Sequence, residues 1–206
     1  MPKLRIAYNA PVVLTFALLA CVVQLMPVEV KMWCTAQPQL HDTRSYVGLV
    51  AHILGHADWN HLLSNFTFIL LLGPILEERH GSRQLLVMIL VTALITGLIN
   101  LLIGNQYLLG ASGIVFMMIV LASTANIRAG EIPLTFVAVV VIFLGRELYN
   151  ATQDDNVSQL AHVIGGLVGG AFGFLTARPA AKVKLPAVAT AGPPAPKVNV
   201  KLGGGG

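Results

Sequence analysis

Between Arg83 and Arg128 the chain carries no charged side chain, an interval of 44 residues. One helix crosses the hydrocarbon core in about 20 residues, so this interval holds two crossings. A soluble domain is typically about 25% charged, whereas this chain is 11% charged and 55% hydrophobic. The class that follows is an all-α membrane protein, a six-transmembrane-helix bundle with a large extracytoplasmic first loop.

Charged residues mark the expected span ends, because a charge in the bilayer core costs several kcal/mol. The first span is predicted over Pro11 to Pro27, and no cleavage site of the small-residue kind follows it. A polar loop then runs from Val28 to Asn60; within it Tyr46 to Gly55 is apolar but too short to cross, and should lie in or dip into the interface. The second span runs from Trp59 to Leu76 and stops at Glu77-Glu78-Arg79-His80. The third and fourth fill the uncharged interval, joined near Gly104-Asn105-Gln106. The fifth is Ile132 to Tyr149, opened by Pro133, and the sixth Val157 to Ala177.

Residues 1–10 are then a short N-terminus, 11–178 the bundle, and 179–206 a Pro/Ala/Lys/Gly tail that cannot bury a core and is expected to be disordered. Six crossings put both termini on one side. That side collects ten of the thirteen Lys and Arg residues, and the other only Lys31, Arg44 and Arg146. Positive loops stay inside, so the termini are expected in the cytoplasm of a multi-pass cell-membrane protein. The net charge of +4 belongs to this asymmetry and does not point to nucleic acid. The partners are the lipid bilayer and transmembrane segments, and no cofactor is implied. Cys21 and Cys34 are read as packing or incidental residues and not as a disulfide.

One serine stands between glycines, in Gly110-Ala111-Ser112-Gly113. Small residues pack membrane helices everywhere, so this motif alone means little. Depth adds to it. From His61 to Glu77, Ser112 to Arg128 and His162 to Arg178 is sixteen residues each time, ~24 Å of helix, which places all three several Å below the outer surface. Asn65 shares a helix face with His61.

Ala161, Gly165, Gly169 and Gly173 make a small-residue seam beside His162, with Gly113 a candidate counterpart. A neutral His162 could take the Ser112 proton as the hydroxyl attacks a carbonyl, while His61 and Asn65 donate to the oxyanion. No carboxylate falls at this depth, so a dyad is expected, with the Phe116 ring orienting the imidazole.

At these residues the chain resembles the rhomboid family of intramembrane serine proteases. The resemblance rests on His56-x4-His61-x3-Asn65, Glu77-Glu78-Arg79 with Gly81-Ser82, Gly110-Ala111-Ser112-Gly113, and Ala161-His162-x2-Gly165-x3-Gly169, and covers Pro11 to Ala177. It implies a Ser112–His162 dyad and an oxyanion hole from His61, Asn65 and the backbone at Gly110. It also implies structural roles for Glu77 and Arg79, a supporting network through His56, and transmembrane protein substrates cut near the outer membrane surface. Two positions depart from the family's pattern: Val47-Gly48 replaces a Trp-Arg pair in the first loop, and Phe116 a frequent tyrosine.

Other readings stay open. His52, His56 and His61 could bind a metal in a small transporter, although no His-Glu-x-x-His accompanies them and the expected metal set is none. His52 is expected to face loop or headgroups. Asn100 reads as interhelical glue, and Asn65 could be the same. Arg146 and Glu147 would anchor the fifth helix, whose valine-rich face could open laterally to substrate. An inactive relative that only binds transmembrane segments is the remaining alternative.

Overall fold

The computed structural model describes residues 8–103, 106–124, 132, 134–150 and 159–176, without the side chains of 143, 144 and 146–150. The expectations for Arg146, Glu147, Arg128, Arg178, the Gly104-Asn105 joint and the C-terminal tail fall outside that set. The described elements are α1 (Pro11–Leu25), the short α2 (Val28–Lys31) continued by a 3-10 turn Met32–Cys34, α3 (Thr43–Ala51) continued by a 3-10 turn His52–Leu54, α4 (Trp59–His80), α5 (Ser82–Ile103), α6 (Ser112–Ser123), α7 (Leu134–Asn150) and α8 (Gln159–Leu175). A single antiparallel bridge, Ala36 with Leu108, is the extended pairing among them.

Two helices, α4 and α5, are each long and apolar enough to cross a membrane. At 22 residues they measure ~33 Å, close to the ~30 Å hydrocarbon core. They are joined through Gly81 alone, whose φ of 84° turns the chain back. Large apolar side chains such as Leu18, Leu63, Leu71 and Leu102 point outward, as a lipid-facing surface requires.

The helix that carries the second expected span does not stop with it at Leu76: α4 continues through the charged run to His80. The reason is that Glu77 is buried and has partners. Its two carboxylate oxygens accept the backbone N–H groups of Val12 and Val13, each at 3.0 Å. These are orphan donors in the first turn of α1, which opens with Pro11, and an anion there is favoured by the helix dipole. Just inside, Val13 packs onto Gly73, so α1 is fixed to α4 at one end of the bundle.

The core is centred on α6, a short helix apolar all round, with eight of its twelve residues buried. Its main partner is α8. A methyl group at Gly165 would fall on the Gly113 carbonyl, one at Gly169 on Met117, and one at Gly173 on Thr124. These contacts ascend both helices together, so α6 and α8 run parallel with their N-terminal ends side by side.

The first loop is more ordered than an interfacial segment need be. Asp42 caps α3 by accepting from Ser45 N–H at 3.0 Å, and Arg44 pairs with the same carboxylate at 2.7 Å. Inside the loop Gly48 lies against the Thr35 carbonyl, while the Leu49 carbonyl lies against Gly97 of α5. A glycine at 48 is thus what lets the loop fold onto itself where the family's pattern has a larger residue. Cys34 is buried in this packing, which raises its thiol pKa and keeps it protonated.

Candidate active site

Ser112 is the first residue of α6 and half-buried. The backbone before it is unusual: Gly110 has φ 120°, a conformation open to glycine and strained for other residues. Its N–H donates to the His52 carbonyl at 2.9 Å, and the neighbouring Ala111 N–H reaches His56 Nε2 at 3.4 Å. Further back, Ala36 and Leu108 exchange both backbone hydrogen bonds, at 2.8 and 2.9 Å. The loop carrying the serine is therefore held from the first loop at three places, Leu108, Gly110 and Ala111.

His61 lies in the first turn of α4, where its N–H donates to the capping Asp58 carboxylate at 2.8 Å. Its ring lies against Gly110: a Cβ built there would come within 2.8 Å of the imidazole Cε1 and Nε2, and 3.8 Å from Asn65 Nδ2. A side chain at position 110 would consequently displace His61. Asn65 is 6% exposed, and its Nδ2 makes no hydrogen bond within the protein.

His162 is buried in the first turn of α8. Its ring stacks on that of Phe116, with centroids 4.2 Å apart and planes 6° from parallel. The Ala161 carbonyl lies 3.2 Å from where a Gly113 Cβ would be, so the pairs Ser112-Gly113 and Ala161-His162 are apposed. His61 and His162 are within electrostatic reach of each other. Ser112, His162, His61, Asn65, Gly110, Phe116 and His56 thus form one cluster.

Glu77 and Arg79 lie at the other end of α4. Glu77 caps α1 as described, and Arg79 is exposed in the last turn, where a cation suits the carbonyl end of the helix.

The expectation that His52 faces loop or headgroups is corrected: it is 2% exposed. Its Nδ1–H donates to the Gly48 carbonyl at 3.2 Å and its Nε2 lies 3.3 Å from the Thr96 hydroxyl of α5. His56 is equally buried, with Nδ1–H toward the Leu54 carbonyl at 3.3 Å. Burial holds both rings at about 4, far below the usual 6.5, His56 being further depressed by nearby His61. They are neutral at pH 7, and the ring nitrogens that a metal would need are turned to protein groups.

Asn100 is also corrected. Its Nδ2 donates to the Gln106 carbonyl at 3.1 Å and so ties the α5–α6 connection to α5, not helix to helix. The carbonyl of His52 and the Ala36–Leu108 bridge were beyond sequence reasoning, since backbone groups leave no residue-type signal.

A family model described as Rhomboid domain matches residues 43–179. Among curated proteins, Rhomboid protease GlpG of Haemophilus influenzae is 23% identical over 132 residues, covering 63% of this chain and 69% of that protein. Rhomboid-related protein 1 of Caenorhabditis elegans is 34% identical over 134 residues, 58% of this chain and 37% of its own length. Rhomboid-like protein 11, chloroplastic, of Arabidopsis thaliana is 26% identical over 145 residues, 63% of this chain and 52% of its own. The chain thus spans about half or less of the length of two of these three relatives.

Proposed function

The chain belongs to the rhomboid family of integral membrane proteins, and on that premise we propose that it is an intramembrane serine endopeptidase acting through Ser112 and His162. The observation that carries this reading is the apposition of the N-terminal ends of α6 and α8, with His162 stacked on Phe116 one turn beyond Ser112. The glycine face of α8, which meets the backbone of α6 at Gly113 and Met117, supports pairing of the Ser112 hydroxyl with the His162 imidazole.

In the reaction so proposed, Ser112 Oγ attacks the carbonyl carbon of a substrate peptide bond as neutral His162 takes the hydroxyl proton. Negative charge gathers on the former carbonyl oxygen, against Asn65 Nδ2 and the His61 ring; the Gly110 N–H expected to join them is instead given to the His52 carbonyl, so Gly110 contributes by leaving room for the His61 ring. Collapse breaks the C–N bond, His162 returns the proton to the leaving amine, and an acyl-enzyme on Ser112 remains. Water then attacks the ester by the same proton path in reverse. Aromatic stacking supplies the orientation of the imidazole that a third acidic residue provides elsewhere.

The substrates proposed are transmembrane segments of other proteins, cut near the side of the membrane on which α4 and α6 begin. Six crossings with both termini cytoplasmic remain the proposed topology, and α7, with Val141 and Ile142 largely exposed, the proposed lateral gate. Cross-linking α7 to α4 without loss of substrate cleavage would count against that gate.

The test of the activity is cleavage of a single-span reporter carrying a small, helix-weakening segment near its outer end, in detergent with chelator. Wild type should cut while Ser112→Ala and His162→Ala do not. Cleavage surviving in Ser112→Ala would overturn the mechanism; a folded but silent wild type would favour a protein that binds transmembrane segments without cutting.

A further inference from the structure

Helices α1 and α5 both begin at the end of the bundle where Glu77 caps α1, yet a groove of about 570 Å³ separates their near faces. One wall runs from Pro11 to Leu19 and the other from Ser82 to Leu90, eight residue steps on each side. That is ~12 Å of helix, close to half of a ~30 Å hydrocarbon core, so the groove has the length of one leaflet. It ends under a roof made by the turn after α3, at Ile53 and Leu54.

The lining is apolar except for Thr15 and Ser82. Polar groups gather at the mouth: the exposed Tyr8, whose hydroxyl meets that of Thr15 at 3.1 Å, and Ser82 at the start of the opposite wall. An apolar slot one leaflet deep, opening beside the hydroxyls of Tyr8 and Ser82, matches a phospholipid, with hydrocarbon inside and the polar headgroup outside. A transmembrane helix crosses ~30 Å and would find only ~12 Å of matching wall here before meeting the roof.

The roof is tied to the serine loop. The His52 carbonyl accepts Gly110 N–H at 2.9 Å. The Leu54 carbonyl accepts His56 Nδ1–H at 3.3 Å, and His56 Nε2 in turn accepts Ala111 N–H at 3.4 Å. Two backbone groups of one short turn thus hold the two residues before Ser112, while the same turn closes the groove from above.

We propose that the hydrocarbon chains of one phospholipid, from the leaflet on the side where α1 begins, occupy this groove and support the 52–54 turn against the loop that carries Ser112. The inference rests on the membrane family and the geometry, and does not need the proteolytic reading.

Native mass spectrometry of the full chain in mild detergent, with dioleoyl-phosphatidylglycerol as probe, tests the site. Wild type should keep one phospholipid under conditions that strip the rest. Leu86→Trp/Leu90→Trp, which fills the groove, should retain it at least tenfold less, and Leu71→Trp on the outer face of α4 should retain it like wild type. Equal retention by the groove-filled variant overturns the site, as does capture of detergent alone or of a second copy of the chain.

Amide hydrogen exchange of the segment containing Gly110 and Ala111 tests the coupling in wild type, independently of how the variant folds. Exchange should accelerate on stripping the lipid and slow again when it is restored. Exchange indifferent to lipid overturns the coupling. All these readouts are separate from peptide cleavage, so their failure is distinguishable from failure of the protease assignment.

Discussion

The Phe116 ring lies flat on the imidazole of His162, centroids 4.2 Å apart and planes within 6° of parallel. Phe116 is fixed on the buried helix α6, so a ring stacked on it cannot swing without losing that face. The pairing acts through the face of the imidazole and fixes the plane in which its nitrogens lie.

Such stacking contributes about 0.5–1.5 kcal/mol. Phe116→Ala should therefore lower kcat by about three- to tenfold with KM little changed, while Phe116→Tyr, which keeps the ring, stays near wild type. Reporter cleavage kinetics decide it; equal loss in both variants would point to disturbed packing and not to ring orientation.

Asn65 and His61 face Gly110 from one side. If they stabilise the oxyanion, Asn65→Ala and His61→Ala should each reduce kcat by about 10²–10³ with the thermal midpoint nearly unchanged. A change confined to KM would assign them to substrate binding instead.

The α6–α8 seam distinguishes neighbouring glycines. Gly165 meets the Gly113 backbone, whereas a methyl at Gly166 would make an ordinary 3.6 Å contact with Val120. Gly165→Ala should cost about 1–3 kcal/mol of stability and much of the activity by separating Ser112 from His162, and Gly166→Ala should be nearly silent. Thermal unfolding in detergent together with cleavage rates measures both.

Glu77 meets two helix-start N–H groups through one carboxylate. Glu77→Ala should destabilise the protein by about 2–3 kcal/mol, with Glu77→Gln intermediate because it loses the charge and keeps one acceptor. Little loss in Glu77→Ala, measured by thermal unfolding, would show that α1 contributes little to the fold's stability.

The buried His52 and His56 predict an acid-sensitive first loop. Folded, each ring protonates at about 4; unfolded, at the ordinary 6.5. Between these values the unfolded loop binds more protons, so stability is fully present above pH 6.5, falls as pH drops, and levels off below about pH 4. The loss approaches roughly 3 kcal/mol per ring if opening exposes it completely. A protonated His56 Nε2 would also confront Ala111 N–H donor to donor. Amide exchange around Gly110 should therefore accelerate on going from pH 7 to 5 beyond its intrinsic pH dependence, and His52→Gln should weaken that response.

Much of this was legible in the chain itself. The 44 uncharged residues and the low charged fraction pointed to the membrane class, and the spacing of His61, Ser112 and His162 gave them one expected depth by helix rise, a count whose reference charges Arg128 and Arg178 lie outside the described residues. The small residues from Ala161 to Gly173 announced a close helix contact, since their pattern is a property of side-chain size. Tertiary structure alone decided which backbone groups meet. The charged run at Glu77 marked a span end, but only the packed helices show that Glu77 is buried and that two N–H groups of α1, 64 and 65 residues away, offset the cost of burying its carboxylate. His52 read as facing loop or headgroups, but its nitrogens find Gly48 and Thr96 and its carbonyl finds Gly110. Spacing along a helix is set by local geometry and can be counted, whereas the partner of a buried polar group comes from another element and exists only after the helices have packed.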